Sequence, residues 1–434
     1  MFEGMRNRLL ALAVVLFSAG SLWAQTEGTY VGFSPYSVFG VGHLHQAGTT
    51  WNRGMGGVGI AARNNRFVNV LNPASVTARD TLSFMADVSL GGRLSLFKEG
   101  DKQAYNAVFV PENLALSFPM WKNTAFMVGV RPVSDVGYSI SYKEIDVGAG
   151  ERQFTSTGNG GTYNVFAAAA ITLWDRLSVG LQGNYVFGNI NKKSTLSSSD
   201  ESYRSMTQGD SLQINNLSAK IGLQYQQPLA PGSYLTVGAT YQISTGIWGH
   251  SIHYRSLGSY DRKRSAAELK GKGLRMGDEL GVGISYRNAD RYMVEVDYTR
   301  TNWKNSNLDQ VSGFSNVGDA VFAPSAGQSV RIGGEITPNR NDIRTGFVHF
   351  LRRCTYRGGA YFDQSYYTVD GAHVNSVGIS LGMTLPVFRW YNGLSIGIEA
   401  GRRGLKTSQV KENYFGFSVG FNIFDIWFQK RAYQ

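Results

Sequence analysis

Near the C-terminus the chain reads YFGFSVGFNI, residues 414–423. Phe415, Phe417, Val419, Phe421 and Ile423 fall on one side; Tyr414, Gly416, Ser418, Gly420 and Asn422 fall on the other. Such strict alternation is the mark of a strand with one apolar and one polar face. The rhythm recurs at 292–299, 377–385 and 394–401, and the apolar faces carry no charge, while Glu295, Asp297 and Glu399 lie on the opposite side. Followed along the chain, it predicts about fourteen strands, near 81–98, 108–120, 123–147, 152–173, 176–192, 212–227, 232–254, 268–287, 290–304, 327–338, 353–366, 374–388, 392–403 and 411–428.

The start of the chain says where such a sheet is placed. Arg6 and Arg8 precede an apolar run from Leu9 to Ala19, then S-L-W-A ends at Ala24. This reads as a secretory signal peptide over 1–24. Its apolar part is shorter than the roughly 20 residues of a spanning helix, and nothing later in the chain resembles one. Membrane insertion would therefore require a closed β-barrel. The even strand count fits a bacterial outer-membrane barrel, and so does the loop pattern. Short connections fall at Trp121–Asn123, Trp174-Asp175, Gln227–Gly232, Asn288–Asp290 and Arg389–Asn392, and longer polar ones at 193–211, 255–267 and 305–326. The stretch 339–352 is too long for a turn and predicts a small periplasmic helix. Trp121, Trp174, Trp390 and Trp427 sit at the short-turn ends, and Trp248 and Trp303 near the opposite ends. Aromatics at both strand ends form the girdles of a membrane barrel, whereas a soluble sandwich keeps its tryptophans in mid-strand.

Composition adds exclusions. The net charge of +11 suits anionic head groups. The basic residues are scattered, apart from a denser run between Arg262 and Arg275 in a predicted loop, so no nucleic-acid partner is expected. The single cysteine, Cys354, has no disulfide partner within the chain and reads as a buried thiol.

Residues 54–59, GMGGVG, fit a dinucleotide loop pattern, but HQAGTTWNR before them is no strand core and R-N-N-R and Pro73 interrupt any following helix. The glycines instead suit tight turning and close packing of a non-helical segment. His43 and His45 make at most half a metal site, with no third ligand at useful spacing. The histidines stand in no recognisable catalytic motif, so no enzyme activity, catalytic residue, metal or cofactor is expected.

The glycine-rich G-M-G-G-V-G-I-A stretch, followed by Asn72-Pro73-Ala74 shortly before the first strand, resembles the FadL/TodX family of outer-membrane channels for long-chain fatty acids and other hydrophobic compounds. Glu399–Gly404 and Asn413–Phe415 also look like a branch of that family. The resemblance implies an all-β fold: an antiparallel transmembrane barrel over 81–434, about 14 strands, with an N-terminal hatch over 25–80 inside its lumen. Gly54, Gly56, Gly57, Gly59, Asn72, Pro73 and Ala74 would form the hatch motif. In the family a kink in the third strand opens a lateral gap, and V-R-P-V-S-D-V-G at 130–137, with Pro132, Asp135 and Gly137, is the candidate kink, a simple bulge being the alternative.

The function implied is passive uptake of fatty-acid-like molecules by a monomer in contact with outer-membrane lipid and lipopolysaccharide, with sideways exit at the kink. The alternative is a barrel of the same architecture that serves protein secretion or surface attachment and carries no small molecule. A continuous apolar path through the lumen would favour the first. A sealed lumen with a polar lining would favour the second.

Overall fold

The computed structural model describes residues 34–79, 83–121, 123–146, 150–200, 203–258, 261–269, 273–288, 291–311, 316–317, 320–387, 393–404 and 410–426. The expected signal peptide, the first part of the expected hatch, Trp390, Trp427 and the Arg389–Asn392 turn lie outside these residues.

Fourteen strands close into an antiparallel barrel: β1 (Ser83–Glu99), β2 (Lys102–Pro119), β3 (Thr124–Asp146), β4 (Gly150–Leu173), β5 (Leu177–Ser198), β6 (Met206–Ala230), β7 (Ser233–Gln242), β8 (Asp278–Asn288), β9 (Tyr292–Asn302), β10 (Ala326–Ile336), β11 (Thr355–Val369), β12 (Ala372–Leu385), β13 (Gly393–Arg403) and β14 (Lys411–Ile426). Each strand pairs with the next, and β14 closes on β1 from Ser83↔Ile426 to Lys98↔Lys411. Among the described residues no helix is long and apolar enough to cross a membrane.

The alternation in sequence becomes the two faces of the wall. Leu280, Val282 and Ile284 of β8 and Val294 and Val296 of β9 are each at least 40 % exposed on the outside. Ser285, Glu295 and Asp297 between them are buried in the lumen. Strands β7 to β10, at 10–11 residues, match the roughly 9–11 tilted residues that cross a bilayer. Strands β4 to β6, at 22–25 residues, extend beyond it at the long-loop end. Trp121 and Trp174, more than 70 % exposed, mark the opposite interface.

Several expected boundaries shift, for one reason. Above the bilayer both faces of a strand are polar, so the alternation fades while the ladder continues. Most of 193–211 is strand, since β5 runs to Ser198 and β6 starts at Met206. The strand expected at 232–254 ends at Gln242. The outer part of β6 is then left without β7, and the segment His250–Leu257 pairs with it from Leu212↔Ser251 to Met206↔Leu257. That segment turns back as Asp261–Glu268, so 255–267 is largely a hairpin rather than a polar loop. The strand expected from 268 begins at Asp278. The 305–326 connection holds a helical turn at Leu308–Gln310 and two short strands, Asn316–Val317 and Ala320–Pro324. Trp303 is not at the interface but buried, its ring 4.9 Å from that of Tyr366. The small helix expected within 339–352 is α1, Phe347–Arg353. Cys354, just after it, is free and buried.

One seam differs from the rest. Strands β2 and β3 pair only from Leu114↔Val130 to Pro119↔Ala125. Outside that level β2 stays paired with β1, and β3 with β4, but among the described residues they no longer pair with each other. The parting begins beside two irregularities, a register shift at Pro132/Ser134 of β3 against β4 and one at Ser89/Leu90 of β1 that leaves Glu112 of β2 bulged.

Candidate functional site: the filled lumen

Residues 34–79 contact inward-facing side chains from nearly every strand of the barrel, which places them in its lumen. The chain enters along the free edge of β3. His43 and Leu44 pair with Asp135 and Ser134, the His45 amide donates to the Val133 carbonyl at 2.8 Å, and the Gly137 amide donates to Ser37 Oγ at 3.0 Å. Of the expected kink residues, Pro132 sits at the register shift, while Asp135 and Gly137 are where this segment is received. Gly42, at φ +92°, lies where a Cβ would be 2.3 Å from the Asp135 carbonyl, so only glycine fits there.

The middle of the segment is held by buried carboxylates. Asp297 Oδ2 accepts from the amides of Gly59 and Ile60 at 2.8 and 3.0 Å. Glu295 Oε1 accepts from those of Ala61 and Ala62 at 2.7 and 3.0 Å. Four successive N–H groups thus converge on two neighbouring buried carboxyl groups, which satisfy donors that would otherwise be stranded. On the far side Glu335 accepts from Trp51 Nε1 at 2.9 Å and is flanked by Arg287 and Arg357 at 3.0 and 3.2 Å. The Gly56 amide donates to Ser380 Oγ at 2.7 Å, and Arg331 donates to the Gly56 carbonyl at 2.9 Å.

The barrel wall is notched to receive this backbone. A Cβ on Gly333 would lie 2.0 Å from the Met55 carbonyl oxygen, one on Gly238 2.2 Å from that of Ile60, and one on Gly382 2.8 Å from Gly54 Cα. Gly56 and Gly57 of the segment have φ of +71° and +81°, the left-handed turn that brings the chain to the wall. Asn72 caps the turn Pro73–Thr77 through the Ala74 amide at 3.0 Å, and its Nδ2 donates to the Ile60 and Leu223 carbonyls at 2.8 and 3.1 Å. Pro73 and Ala74 lie against Gly180, where a Cβ would meet them within 2.7 Å. The structure thus gathers Gly54, Gly56, Gly57, Gly59, Asn72, Pro73 and Ala74 into one segment packed on the wall. Gln224, Arg331, Glu335 and Ser380, which also hold it, were missed from sequence; as isolated polar residues on inward faces, they are discernible once the strand phase is known.

Above and below, the lumen is closed by packing. Toward the long-loop end, Tyr36, Val38, Phe39 and Val41 join Trp303, Phe322, Tyr366 and Tyr367 in a buried apolar cluster. Toward the short-turn end, Val68, Val70 and Val76 pack with Met85, Met127, Phe166 and Phe424. Between them is a cavity of about 320 Å³, lined by charged side chains and by apolar ones such as Leu44, Ile60, Leu71, Val133 and Met276. Its charges are mostly matched, Lys220 with Glu279 at 3.1 Å and Arg331 with Asp363 at 2.6 Å. Arg53, close by, meets Glu112 at 2.9 Å. Arg131, on the wall of this cavity where the β2–β3 seam parts, makes no hydrogen bond or contact ion pair among the described residues, and its charge is felt by Glu279 across the cavity. His43 and His45 line the cavity too, but Arg93 and Arg403 approach His43 Nε2 at 3.3 and 3.1 Å, and His45 contacts Asp135. Burial, then Arg53 and Arg93, pushes the His45 imidazole down to about 3. A nitrogen flanked by two guanidiniums is poorly placed to take a metal cation.

The fold has solved counterparts. The Pseudomonas putida toluene transporter TodX superposes with a TM-score of 0.59 at 15 % identity, over 90 % of this chain and 100 % of that one. A Pseudomonas aeruginosa FadL homologue gives 0.57 at 12 % identity, over 88 % and 99 %. The Ralstonia pickettii toluene transporter TbuX gives 0.52 at 14 % identity, over 91 % and 98 %. At these identities the likeness is one of fold: a FadL-type barrel. No curated protein matches the chain. The family model described as BamG matches residues 5–434, nearly the whole length, and the chain belongs to the BamG family.

Proposed function

We propose that this chain is a sealed outer-membrane barrel that acts by holding another protein, as a scaffold for secretion or surface attachment, and conducts no small molecule through its lumen. Residues 25–80 are its hatch, with Gly54 to Ala74 the part locked to the wall. The observation that carries the reading is the chain segment locked across the mid-lumen: Asp297 and Glu295 grip four consecutive hatch amides at 2.7–3.0 Å. A hydrophobic molecule would cross ion pairs there, and moving the hatch would strand buried donors at about 1–3 kcal/mol each. The test is affinity purification from native membranes in mild detergent, beside uptake of a radiolabelled fatty acid by proteoliposomes holding the pure chain. A stoichiometric protein partner and no uptake are expected. Uptake without a partner would overturn the proposal.

A second reading, passive uptake of hydrophobic compounds, draws on the fold likeness, the apolar cluster at the outer end and the irregular β3. Pro132, Asp135 and Gly137 then mark a lateral exit. Straightening β3 with Pro132→Val and Gly137→Thr would abolish uptake on this reading and leave a scaffold's partner binding intact.

A further inference from the structure

A sheet edge open to lipid is costly, because hydrocarbon offers no partner for backbone N–H and C=O groups. The parted seam has two such edges. That of β3 is covered by the chain's own residues 34–45. That of β2 is not: from Gln103 to Val110 it pairs with β1 on one side and, among the described residues, with nothing on the other. Natural edges are blunted by charge, proline or bulges. This stretch, QAYNAVFV, has neither charge nor proline; Pro111 and the bulged Glu112 stand only at its foot. Its outward residues are exposed, Phe109 at 63 % and Tyr105 at 89 %.

We infer that the outer half of β2 receives an extended strand from another outer-membrane polypeptide, added antiparallel to Gln103–Val110 and placing an acidic side chain against Arg131. This names the docking edge for the scaffold reading above, and rests on it. The occupant's chemistry follows from the surroundings. Its outward residues must alternate as apolar, to match Tyr105, Ala107 and Phe109. Its inward face meets the cavity, where Arg131 makes no hydrogen bond or contact ion pair among the described residues and keeps donors free, its charge felt only by Glu279 across the cavity. A second copy of this chain fits poorly. Two copies related about the membrane normal would bring together two β2 strands running the same way, the less favourable parallel pairing. A strand running from periplasm to exterior in a different protein gives the antiparallel ladder, with main-chain bonds supplying affinity and alternate side chains supplying choice.

The test places a photoreactive benzoylphenylalanine singly at Tyr105, Ala107 and Phe109 of the full chain in native membranes, with Val282 on the fully paired β8 as control. The expected result is one polypeptide cross-linked from the three β2 positions and not from Val282. Its labelled residues must step by two in the opposite order as the probe steps along β2. Arg131→Gln, which removes the charge without setting a second acid against Glu279, should lower that yield by about tenfold or more, with barrel folding checked by heat-modifiable migration. Cross-links to lipid alone, to this chain's residues before 34, to a second copy, or to a protein without the two-residue register would overturn the inference. A partner that co-purifies but gives no register at β2 defeats the seam and leaves the scaffold reading standing. The absence of any partner defeats both.

Discussion

Asp297→Ala tests the proposed lock between the luminal segment and the wall. The carboxylate holds the Gly59 and Ile60 amides at 2.8 and 3.0 Å, and Asp297 is only 2 % exposed. Removing it strands two buried donors, each costing about 1–3 kcal/mol, so the segment loosens by about 2–6 kcal/mol. The closing ion pairs and apolar clusters of the barrel are untouched, so the wall remains folded. Hydrogen exchange of the detergent-solubilised protein reads the effect directly, since local opening sets the exchange rate. Peptides covering 54–62 should exchange at least roughly 30-fold faster, the equivalent of about 2 kcal/mol, while peptides from β8 and β9 stay unchanged. Glu295→Gln keeps an acceptor for Ala61 and Ala62 and should give a smaller acceleration. Asp175→Asn, in an exposed turn, serves as control. Unchanged exchange at 59–62 in Asp297→Ala, with a folded barrel, would refute the claim that these carboxylates hold the hatch.

Gly333→Val should displace the hatch, because the first added carbon already meets the Met55 carbonyl at 2.0 Å; trypsin should then cut within 53–66 in a barrel that still migrates as folded. Asn72→Ala removes a cap and two further carbonyl partners and should destabilise the 60–77 region by about 1–3 kcal/mol, read as earlier loss of its exchange protection on heating. The hydrogen bonds from Arg344 and then His349 hold the Asp342 carboxyl below its usual range. Its folded value is lower than the unfolded one, so its contribution is present above the unfolded value of about 4 and is lost as pH falls through the folded value. Exchange in Phe347–Arg353 should therefore rise only in acid, and Asp342→Asn should abolish that pH dependence.

The parts of this fold legible in sequence are those governed by one strand at a time. Alternation located all fourteen barrel strands and put Glu295 and Asp297 in the lumen before any pairing was known. It failed where the environment ceased to be two-sided. Above the bilayer Lys192 to Ser198 and Met206 to Leu212 continue their ladders with polar residues on both faces, so the apolar signal that marks a strand is missing. Trp303 was assigned to the interface from its place at a strand end, but the connection after β9 folds inward and carries it to the luminal core. Glu335 meets arginines; Asp297 and Glu295 meet backbone, a partner that carries no sequence signature. The parted β2–β3 seam was legible only as a suspicion at Pro132, because its cause is a register between strands.

The most direct test of the central claim is native mass spectrometry of the chain released from its own membrane in mild detergent. The account predicts a complex of defined stoichiometry with another protein, and no fatty acid or other apolar ligand retained in the barrel. A lone barrel carrying a bound hydrophobic molecule would contradict it and return the protein to the channels whose fold it shares.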